Sequence, residues 1–459
     1  MIALPLGEIA AFCGGRLINI EGSYLIKKAE TDSRKDMSDG IFFALKGERF
    51  DAHDFLGQAL KNNAAVLCVQ KGRELADAPC LIVDDTLKAY QMLGALVLRK
   101  VAIPSVAITG SVGKTSVKEM TRSVLEEKFG VGSVLFTEGN TNNHIGVPQN
   151  LMRLSEQHKI AVIEMGTSSF GEIEVLSEIV RPEVALINSI APCHLENLGT
   201  LEGVAKEKSA IFDYALRLAV IPGNIPQTGQ ITDVAEKKNL SIEYFGNSSS
   251  SDFYYSNFSG GIAGSSFVLH CGSEFVEIRW NLQGEHQAQN ACGAAAVGKY
   301  FGMKLSEIAK GLQNTQLPGM RAKITEANNV HFYNDAYNAN PASMHALVKM
   351  VGESIVKGDF QENNVIFVFG DMLELGDISS DEHYKLLQTV HEKMPEARVL
   401  AIGGNFMQSK NDFSMNFFAD SVQAGEYLKD ILQDGDWVFL KGSRSMHVEN
   451  AMPEDDWYK

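Results

Sequence analysis

The stretch VAITGSVGKTS, residues 106–116, runs from an apolar segment through a glycine turn to a lysine and two hydroxyl residues. The common phosphate-binding loop has the pattern G-x-x-x-x-G-K-[ST], with its first glycine six positions before the lysine. Here Ile108 occupies that position, and Gly110 stands four positions before Lys114. The stretch is therefore an altered phosphate loop, an ordinary glycine turn, or the loop of a different class of phosphate-binding protein.

The context of the loop favours phosphate binding over an ordinary turn. VAIT predicts a strand and SVKEMTRSVLEEKF predicts a helix, which is the arrangement that a phosphate loop requires. Glycines and the amides at the start of a helix can surround a polyphosphate without obstruction by side chains. Lys114 would neutralise phosphate charge, and the Thr115 hydroxyl could bind Mg²⁺. The predicted nucleotide site comprises Gly110, Ser111, Val112, Gly113, Lys114, Thr115 and Ser116.

Length, composition and charge narrow the class of protein. A chain of 459 residues predicts two or three domains, and 45% hydrophobic residues are enough for several cores. The formal net charge of −16 argues against a general binder of nucleic acid or of anionic membranes. A local basic pocket for a phosphorylated ligand is compatible with that charge.

The cysteines and the apolar segments indicate the compartment. Six cysteines are scattered without a C-x-x-C pair, a pattern typical of reduced thiols in a cytoplasmic protein. The segment MIALPLGEIAAF lacks the basic start and the sustained apolar core of a secretion signal. No run approaches the roughly 18 apolar residues that a membrane span needs. We therefore expect a soluble cytoplasmic protein.

Three blocks are predicted as domains, over residues 1–100, 101–315 and 316–459. The first contains the strand-like runs IFFAL, AVLCV and PCLIV. In the second, HKIAVIEMG and EVALINSI predict strands, and FVLHCG and FVEIRWNL predict a small antiparallel insertion. Alternating strand and helix patterns in the third predict a doubly wound domain. The expected fold class is α/β, with a central phosphate-loop domain on a parallel sheet and a Rossmann-like C-terminal domain.

Two polar residues follow predicted strands of the second block. Glu164 ends the strand in HKIAVIEMG, where an acid downstream of a phosphate loop can hold Mg²⁺ directly or through water. A surface carboxylate at a strand end is equally common in isolation, and the upstream loop favours the metal role. His194 lies just past the next strand. A lone histidine is more often structural, so its value depends on convergence with Glu164 at one edge of the sheet.

The segment LEGVAKEKSAIFDYAL predicts a helix whose apolar face includes Val204 and Ile211. Lys208 falls on that face, whereas Lys206 points nearly the opposite way. A packed aliphatic stem with an ammonium that reaches water explains such a lysine. A bare ammonium would repel Mg²⁺, so a metal role would require its neutralisation or conversion to an anion. Physical reasoning alone favours the packed stem.

The third block carries NDAYNANPASM after a predicted strand, with a rigid Asn-Pro turn that leads into a helix. This segment exposes four polar side chains: Asp335, Tyr337, Asn338 and Asn340. A helix cap explains some of them but not so dense a cluster. Arg321 and Lys441 are candidate cations for phosphate or carboxylate, although single exposed cations are usually only solvated.

Together these motifs resemble the Mur ligases, the ATP-dependent amide-forming enzymes of peptidoglycan synthesis. The family's loop is similar to TGxxGKT, with its glycine four positions before the lysine as in this chain. The resemblance touches all three blocks through TDSRK, FFALKGERFDAHDF, TGSVGKTS, GNTNNHIGVP, IEMG, CHLENLG, AKEKSAIF, GEHQAQNA, NDAYNANPASM, GDMLELG and LKGSRSM.

The resemblance also implies roles for single residues. Catalysis would involve Lys114, His194 and Lys208, and Mg²⁺ would be held by Thr115, Glu164, His194 and Lys208. Lys208 matches the lysine of K-x-x-I-[FY] that becomes carbamylated by CO₂ in related ligases, which would turn the unfavourable cation into an anion. Nucleotide contacts beyond the loop would come from His286, Asn290, Arg321, Asp335 and Asn338. Substrate contacts would come from Asp32, Ser33, Arg34, Lys46, Asn142, Asn143, Tyr337, Asn340 and Lys441.

The activity implied by the resemblance is ATP- and Mg²⁺-dependent ligation of D-alanyl-D-alanine to UDP-N-acetylmuramoyl-tripeptide through an acyl phosphate, with ADP as a product. The protein would act as a cytoplasmic monomer without nucleic acid. One alternative is a related ligase that adds a single amino acid to a muramyl peptide, or glutamate to folate. Another is a phosphate-loop switch or regulatory ATP binder that forms no amide. The chain lacks the N-K-x-D guanine signature of GTPases.

Overall fold

The structure is a computed structural model that describes residues 1–47 and 50–453. Glu48 and Arg49 of FFALKGERFDAHDF lie outside the described residues, as do residues 454–459 of the third block. The described chain forms three mixed sheets of five, nine and six strands and a further two-stranded ribbon. The predicted α/β fold class is confirmed.

The N-terminal part contains the five-stranded sheet. The strands of this part, five of them in the sheet and two in the ribbon, are β1 (Leu4–Pro5), β2 (Arg16–Ile18), β3 (Leu25–Ile26), β4 (Lys28–Glu30), β5 (Gly40–Phe43), β6 (Ala64–Gln70) and β7 (Cys80–Val83). Its helices are α1 (Leu6–Cys13), α2 (Leu56–Lys61) and α3 (Thr86–Val101), with a 3-10 turn at Ala52–Phe55. The sheet order is β2-β7-β6-β5-β4, and β1 pairs with β3. The Asp85 side chain caps α3 by accepting hydrogen bonds from the backbone amides of Leu87 and Lys88.

The central part holds the nine-stranded sheet. Its strands are β8 (Ser105–Thr109), β9 (Val134–Phe136), β10 (Ile160–Glu164), β11 (Val184–Ile187), β12 (Leu218–Pro222), β13 (Ser241–Gly246), β14 (Phe253–Gly261), β15 (Gly264–Cys271) and β16 (Glu274–Trp280). Its helices are α4 (Lys114–Phe129), α5 (Gly146–Leu151), α6 (Glu172–Val180), α7 (Leu195–Leu198), α8 (Leu201–Ser209), α9 (Thr228–Lys237), α10 (Glu285–Tyr300) and α11 (Leu305–Gln313). A 3-10 turn at Ala210–Phe212 follows α8.

This sheet is only partly parallel. Its order is β16-β15-β14-β13-β12-β11-β8-β10-β9, and all pairs from β9 to β14 are parallel. The strands β14, β15 and β16 pair antiparallel. The runs predicted as a separate antiparallel insertion therefore extend the main sheet, because β14 continues it beside β13. The sequence pattern predicts β15 and β16, but it misses β14 and carries no information about which neighbour a strand joins.

Both faces of the central sheet are covered. Every residue of β8, β10, β11 and β12 is buried, as expected for parallel strands between two layers. Alternate residues face opposite layers, so that Val106 and Ile108 pack with the layer of α4 and α10. Ala107 faces the other layer, where residues of the N-terminal part join the same hydrophobic core.

The C-terminal part holds the six-stranded sheet. Its strands are β17 (Lys323–Ala327), β18 (Val330–Asn334), β19 (Val365–Gly370), β20 (Arg398–Ile402), β21 (Asn416–Phe418) and β22 (Trp437–Lys441). Its helices are α12 (Pro341–Lys357), α13 (Ser379–Lys393), α14 (Gly404–Met407) and α15 (Ser421–Ile431). Further 3-10 turns lie at Glu362–Asn364, Gly376–Ile378, Arg444–Met446 and Val448–Ala451. The order is β17-β18-β22-β19-β20-β21, parallel except for β17 against β18.

Helices cover both faces of this third sheet. Residues of α12 and α13 pack on one face, and residues of α15 pack on the other. The predicted doubly wound arrangement is therefore present, with an antiparallel strand at one edge.

None of the helices in the described part of the chain combines the length and the apolar character that a bilayer-spanning helix requires.

Candidate active site

A cleft of about 710 Å³ lies where α4 and the ends of the central strands face the C-terminal part. Many residues predicted from the sequence line it. They are Ser111, Val112, Gly113, Lys114, Thr115, Ser116, Asn142, Asn143, Glu164, His194, His286, Asn290, Arg321, Asp335, Tyr337, Asn338, Asn340 and Lys441. The structure thus brings together side chains from the central and C-terminal parts that are far apart in the sequence.

The glycine loop leaves no room for side chains where it turns into α4. Gly113 has a φ of +78°, and a Cβ atom there would lie 2.5 Å from the Asn188 amide nitrogen and 3.0 Å from the Asn290 amide oxygen. At Gly110 an added Cβ would lie 3.1 Å from the Cβ of Asn188. Ile108 belongs to β8, one residue before its end. The loop glycines are therefore Gly110 and Gly113.

Hydrogen bonds from the next strand end hold this loop. The Ser111 amide donates to the Ser189 carbonyl at 2.9 Å, and the Val112 amide donates to the Ser189 hydroxyl at 2.9 Å. Lys114 Nζ donates to the Gly110 carbonyl at 2.7 Å, so the ammonium lies over the loop. The first amides of α4 have no intrahelical acceptor. The loop therefore presents one ammonium and a helix N-terminus to an anionic ligand.

Glu164 lies at the end of β10 and is 2% exposed. Its carboxylate accepts hydrogen bonds from the Thr115 hydroxyl and the Asn142 amide, each at 2.9 Å. Arg321 from the C-terminal part donates to the same Thr115 hydroxyl at 3.1 Å. A carboxylate and a hydroxyl are the hard oxygen ligands that Mg²⁺ prefers, usually together with waters and substrate phosphates.

The protein groups alone would form an incomplete metal site. Across residues 1–47 and 50–453, no group of three or more His, Cys, Asp or Glu side chains is arranged to hold a metal ion. Mg²⁺ commonly takes one or two carboxylates and draws its other ligands from substrate phosphates and water. The pair formed by Thr115 and Glu164, beside the loop, fits that mode of binding.

His194 lines the same cleft and pairs with the C-terminal part. It precedes α7 with a φ of +50°, and its Nδ1 lies 2.6 Å from the Glu374 carboxylate. The hydrogen bond from His194 lowers the pKa of Glu374. The sequence predicts no role for Glu374 in GDMLELG, because no local pattern connects Glu374 with His194, which lies 180 positions earlier.

Lys208 is buried on α8 with 1% exposure, as its place on the apolar face predicts. Within the described part of the chain, its ammonium has no hydrogen-bond acceptor or paired carboxylate. Burial lowers its pKa to about 8, and the nearby charge of Lys114 contributes in the same direction. Lys206 is exposed, with its ammonium 5.8 Å from the centre of the Phe170 ring. The observed helix is shorter than the predicted one: α8 ends at Ser209, and a 3-10 turn at Ala210–Phe212 follows it.

His286 and Asn290 lie on α10 at the same cleft. His286 is exposed on α10 and lines the open cleft, whereas Asn290 is buried. The Asn290 side chain accepts a hydrogen bond from Asn188 and donates one to Gln287, both at 2.9 Å. Asn188 also donates to the Val112 carbonyl at 2.9 Å. The helix α10 is therefore linked directly to the glycine loop.

In the C-terminal part, Lys441 is 3% exposed and forms an ion pair with Asp335. Its ammonium also donates to the Asn338 carbonyl at 3.2 Å. The Arg321 guanidinium lies 3.7 Å from the centre of the Tyr337 ring, a cation–π contact that orients the group toward the cleft. Two cations from this part therefore approach the cleft with defined partners.

Two predicted residues also have plain structural roles. Asn340 caps α12 by accepting a hydrogen bond from the Ser343 amide at 2.9 Å. The Asn143 side chain accepts from the backbone amides of Ile145 and Gly146 just before α5. Capping therefore accounts for part of the polar cluster, while both side chains still line the cleft.

The four residues predicted in the N-terminal part do not line the cleft. Asp32 and Arg34 form an ion pair at 2.8 Å, and hydrogen bonds from Arg34 hold the pKa of Asp32 below its usual range. The Ser33 hydroxyl donates to the Gln58 side chain at 3.0 Å. Lys46 forms an isolated antiparallel bridge with Asp51. Asp32, Ser33 and Arg34 lie in the loop after β4, and Lys46 lies shortly after the neighbouring strand β5.

Sequence reasoning missed Asn188 and Ser189. Both follow β11 directly, in the segment EVALINSI that predicts a strand. Functional side chains gather beyond the carboxyl ends of parallel strands, so the rule that selected Glu164 would also have selected these two residues.

Comparison with known proteins gives consistent results. The Mur ligase middle domain matches residues 108–298, and the Mur ligase glutamate ligase domain matches residues 320–444. The chain is 35% identical to the UDP-N-acetylmuramoyl-tripeptide–D-alanyl-D-alanine ligase of Haemophilus influenzae, with 98% of each chain covered. A crystal structure of MurF from Acinetobacter baumannii superposes with a TM-score of 0.88 at 31% identity, covering 98% of both chains.

A more distant structure, MurF from Thermotoga maritima in complex with ADP, shares the fold with a TM-score of 0.81 at 22% identity. It covers 92% of this chain, and 96% of its own chain is matched. The full-length similarity at 35% identity and the two matched domains agree with the motifs that surround the cleft. The chain belongs to the Mur ligase family.

Proposed function

We propose that this chain is an ATP-dependent ligase that joins D-alanyl-D-alanine to UDP-N-acetylmuramoyl-tripeptide, with ADP and phosphate as products. The observation that carries the proposal is the cleft itself, where a glycine loop, a buried acid and two cations of the C-terminal part converge. Full-length relatives that carry this activity in their names support the choice of substrates.

Three units would divide the work, over residues 1–100, 101–315 and 316–459. The first would bind the UDP-linked substrate through Asp32, Ser33, Arg34 and Lys46. The second would bind ATP, with His286 and Asn290 beside the nucleotide. The third would complete the nucleotide site and receive the dipeptide through Arg321, Asp335, Tyr337, Asn338, Asn340 and Lys441.

In the first step, an oxygen of the tripeptide's terminal carboxylate attacks the γ-phosphorus of ATP, the bond to the β–γ bridging oxygen breaks, and ADP leaves. Such transfer depends mainly on positioning and on stabilisation of the phosphoryl charge. Lys114 would supply a cation at the loop, and the amides of Ser111–Ser116 would surround the phosphates. Mg²⁺ held by Thr115, Glu164 and His194 would neutralise phosphate charge when bound.

Lys208 would serve this step as a carbamate. Its lowered pKa, to about 8, leaves roughly a tenth of the amine neutral at pH 7, far more than for a lysine in water. The neutral nitrogen can attack the carbon of CO₂ and lose a proton, which gives an anion in place of a cation. The nearby Lys114, whose charge disfavours the Lys208 ammonium, would then favour the carbamate. The carbamate would contribute an oxygen toward the metal.

In the second step, the amine of D-alanyl-D-alanine attacks the acyl carbon, an amide forms, and inorganic phosphate departs. The oxyanion that develops needs cationic or hydrogen-bonding support. Asn142 and Asn143 line the cleft beside Glu164 and could donate to the acyl group. Arg321 and Lys441 could balance the phosphate or the carboxylate of the dipeptide.

The test uses purified protein with ATP, Mg²⁺, UDP-N-acetylmuramoyl-tripeptide and either D-alanyl-D-alanine or single amino acids. We expect phosphate release that depends on both the tripeptide and the dipeptide, with one UDP-linked pentapeptide formed for each phosphate. Activity with single amino acids instead would identify a related ligase. Phosphate release without dependence on any acceptor would identify a nucleotide switch and overturn the proposal.

A further inference from the structure

The loop between β10 and α6, residues 165–171, forms part of the cleft wall directly after Glu164. Thr167 and Ser168 of this β10–α6 loop line the cleft, as does Glu172 at the start of α6. The loop turns on a glycine, because Gly171 has a φ of +87°. A chain segment of this kind keeps its shape only if other groups bind its backbone.

The Glu172 carboxylate accepts from the Ser168 and Ser169 amides in the middle of the loop, and Glu207 holds its end. The Glu207 carboxylate, on a residue 3% exposed, accepts from the Gly171 amide at 2.7 Å, the Ile173 amide at 2.8 Å and the Thr167 hydroxyl at 3.1 Å. Two of these donors lie at the N-terminus of α6, where a carboxylate is favoured by the unpaired amides and by the helix dipole. Glu207 therefore fixes both the end of the loop and the start of the helix.

The neighbours of Glu207 tie the same loop to the same helix. Lys206 lies over the Phe170 ring, and Lys208 is the next residue of α8. Asn197, from the adjoining α7, donates to the Ser168 carbonyl at 3.1 Å. The cleft-lining loop and the buried Lys208 are thus held in one frame, although 34 or more positions separate Glu207 from its backbone partners.

The topology indicates which substrate meets this loop. β10 and β11 flank β8 on opposite sides. Asn188 follows β11 and binds Asn290 of α10, which places the proposed nucleotide-side helix at that flank. The β10–α6 loop follows the other flank, and α6 packs toward the N-terminal part, where Lys88 pairs with Glu178 at 3.3 Å. The loop thus lies on the side of the cleft nearer the unit proposed to hold the UDP-linked substrate.

We propose that Glu207 is a positioning residue for UDP-N-acetylmuramoyl-tripeptide, the acceptor of the phosphoryl group. Through the β10–α6 loop it shapes the wall on which the reacting end of this UDP-linked peptide lies. This inference rests on the proposed function. A cap that only stabilised α6 would change stability but would not discriminate between substrates. A wall for the acceptor would change the KM of the acceptor and leave the KM of ATP nearly unchanged.

The experiment compares Glu207→Gln with Glu174→Gln, which alters an exposed carboxylate in the first turns of the same α6. The amide nitrogen of glutamine would place a donor where the carboxylate now accepts, opposite either the Gly171 amide or the Ile173 amide. We expect the KM for UDP-N-acetylmuramoyl-tripeptide to rise about tenfold in Glu207→Gln, equivalent to the loss of roughly one hydrogen bond. The KM for ATP should stay within about twofold of wild type, as should all constants of Glu174→Gln.

Three results separate the possibilities. Equal rises in both KM values, or a fall in kcat alone, would show general damage to the site and overturn the inference. Unchanged constants in Glu207→Gln would also overturn it while leaving the proposed function intact. Wild-type protein that forms no pentapeptide would instead refute the proposed function. If Glu207→Gln does not fold, Glu207→Asp, which retains a carboxylate on a shorter side chain, should show the same selective rise in the acceptor KM, and its absence would count against the inference.

Discussion

Two lysines of the central part are equally buried but differ in their surroundings. Lys118 on α4 and Lys208 on α8 are each 1% exposed. Lys118 donates to the Thr137 carbonyl at 2.7 Å and pairs with Glu119 at 2.8 Å. Lys208 has neither kind of partner among the described residues, and burial lowers its pKa. A buried cation whose charge is matched serves the structure, whereas an unmatched one is kept at a cost in stability and is available as a neutral amine.

The largest expected effect is on catalysis, from Lys208→Ala. If the lysine acts as a carbamate, its removal should lower dipeptide-dependent ligation by on the order of 10³-fold, comparable with the loss of a main electrostatic group of an active site. Added acetate or formate should restore part of the rate by replacing the missing anion. Product formation with and without the added carboxylate is the measurement. A mild effect would place Lys208 with the structural lysines.

The second effect is on stability, from Lys118→Met. This change removes one of the two cations paired with the buried Glu119, whose other partner is Arg122 at 3.0 Å, and leaves the Thr137 carbonyl without its donor. The loss of a buried hydrogen-bond partner costs roughly 1–3 kcal/mol. We expect the central part to unfold at a clearly lower denaturant concentration, as followed by fluorescence or circular dichroism. Lys159→Met, at an exposed lysine just before β10, is the matched control. An unchanged midpoint would show that the pair around Lys118 does not stabilise the fold.

Lys208→Met should stabilise the fold, in contrast to Lys118→Met. Burial lowers the pKa of Lys208 to about 8 in the folded state, against 10.5 for a lysine in water, so below pH 8 folding carries the cost of the buried ammonium, about 3 kcal/mol. The unfolded chain binds more protons between these two values, so wild-type stability rises with pH across that window. The stabilisation by methionine should therefore be largest below pH 8 and shrink toward pH 10.5. Denaturation in buffer free of CO₂ and nucleotide measures it, and destabilisation at pH 7 would contradict it.

The smallest effect is expected at Lys206→Ala. This lysine is exposed and its ammonium lies over the Phe170 ring, so ligation should change by less than about twofold. Comparison with Lys208→Ala shows which of these two lysines, only two positions apart, is the one that ligation requires. If Lys206→Ala were the crippling change, the assignment of the reactive lysine to the apolar face of α8 would be wrong.

The parts of the site that the sequence predicts correctly depend on local rules. The strand, turn and helix around Gly113 follow from apolar runs and glycine spacing, and Glu164 follows from its place at a strand end. The burial of Lys208 follows from helical periodicity. Each of these features is determined by residues within about one turn or one strand, which is the range over which pattern arguments hold.

The parts that could not be predicted join distant segments. Arg321 meets Thr115 across 206 positions, and Glu207 meets the Gly171 amide across 36. No periodicity encodes such pairings, because they depend on how whole sheets and helices pack. The roles of single site residues and the limits of the three proposed domains remain predictions on the same ground. The sequence predicts the antiparallel strands β15 and β16 but not β14, which joins them to the main sheet, and that attachment is also a long-range property.

The packing between the N-terminal and central parts has a consequence for dissecting the chain. One hydrophobic core contains residues of both, including Leu93 of α3 and Val147 of α5. At Gly94 an added Cβ would lie 2.8 Å from Pro148, so the two helices touch backbone to backbone. Cutting the chain near residue 100 would divide this core between two fragments, and each fragment would expose to water the apolar residues that now pack against the other. We expect the first two parts to be expressible only as one piece, whereas the C-terminal part, with largely its own two cores, is the better candidate for separate production and for exchange between relatives.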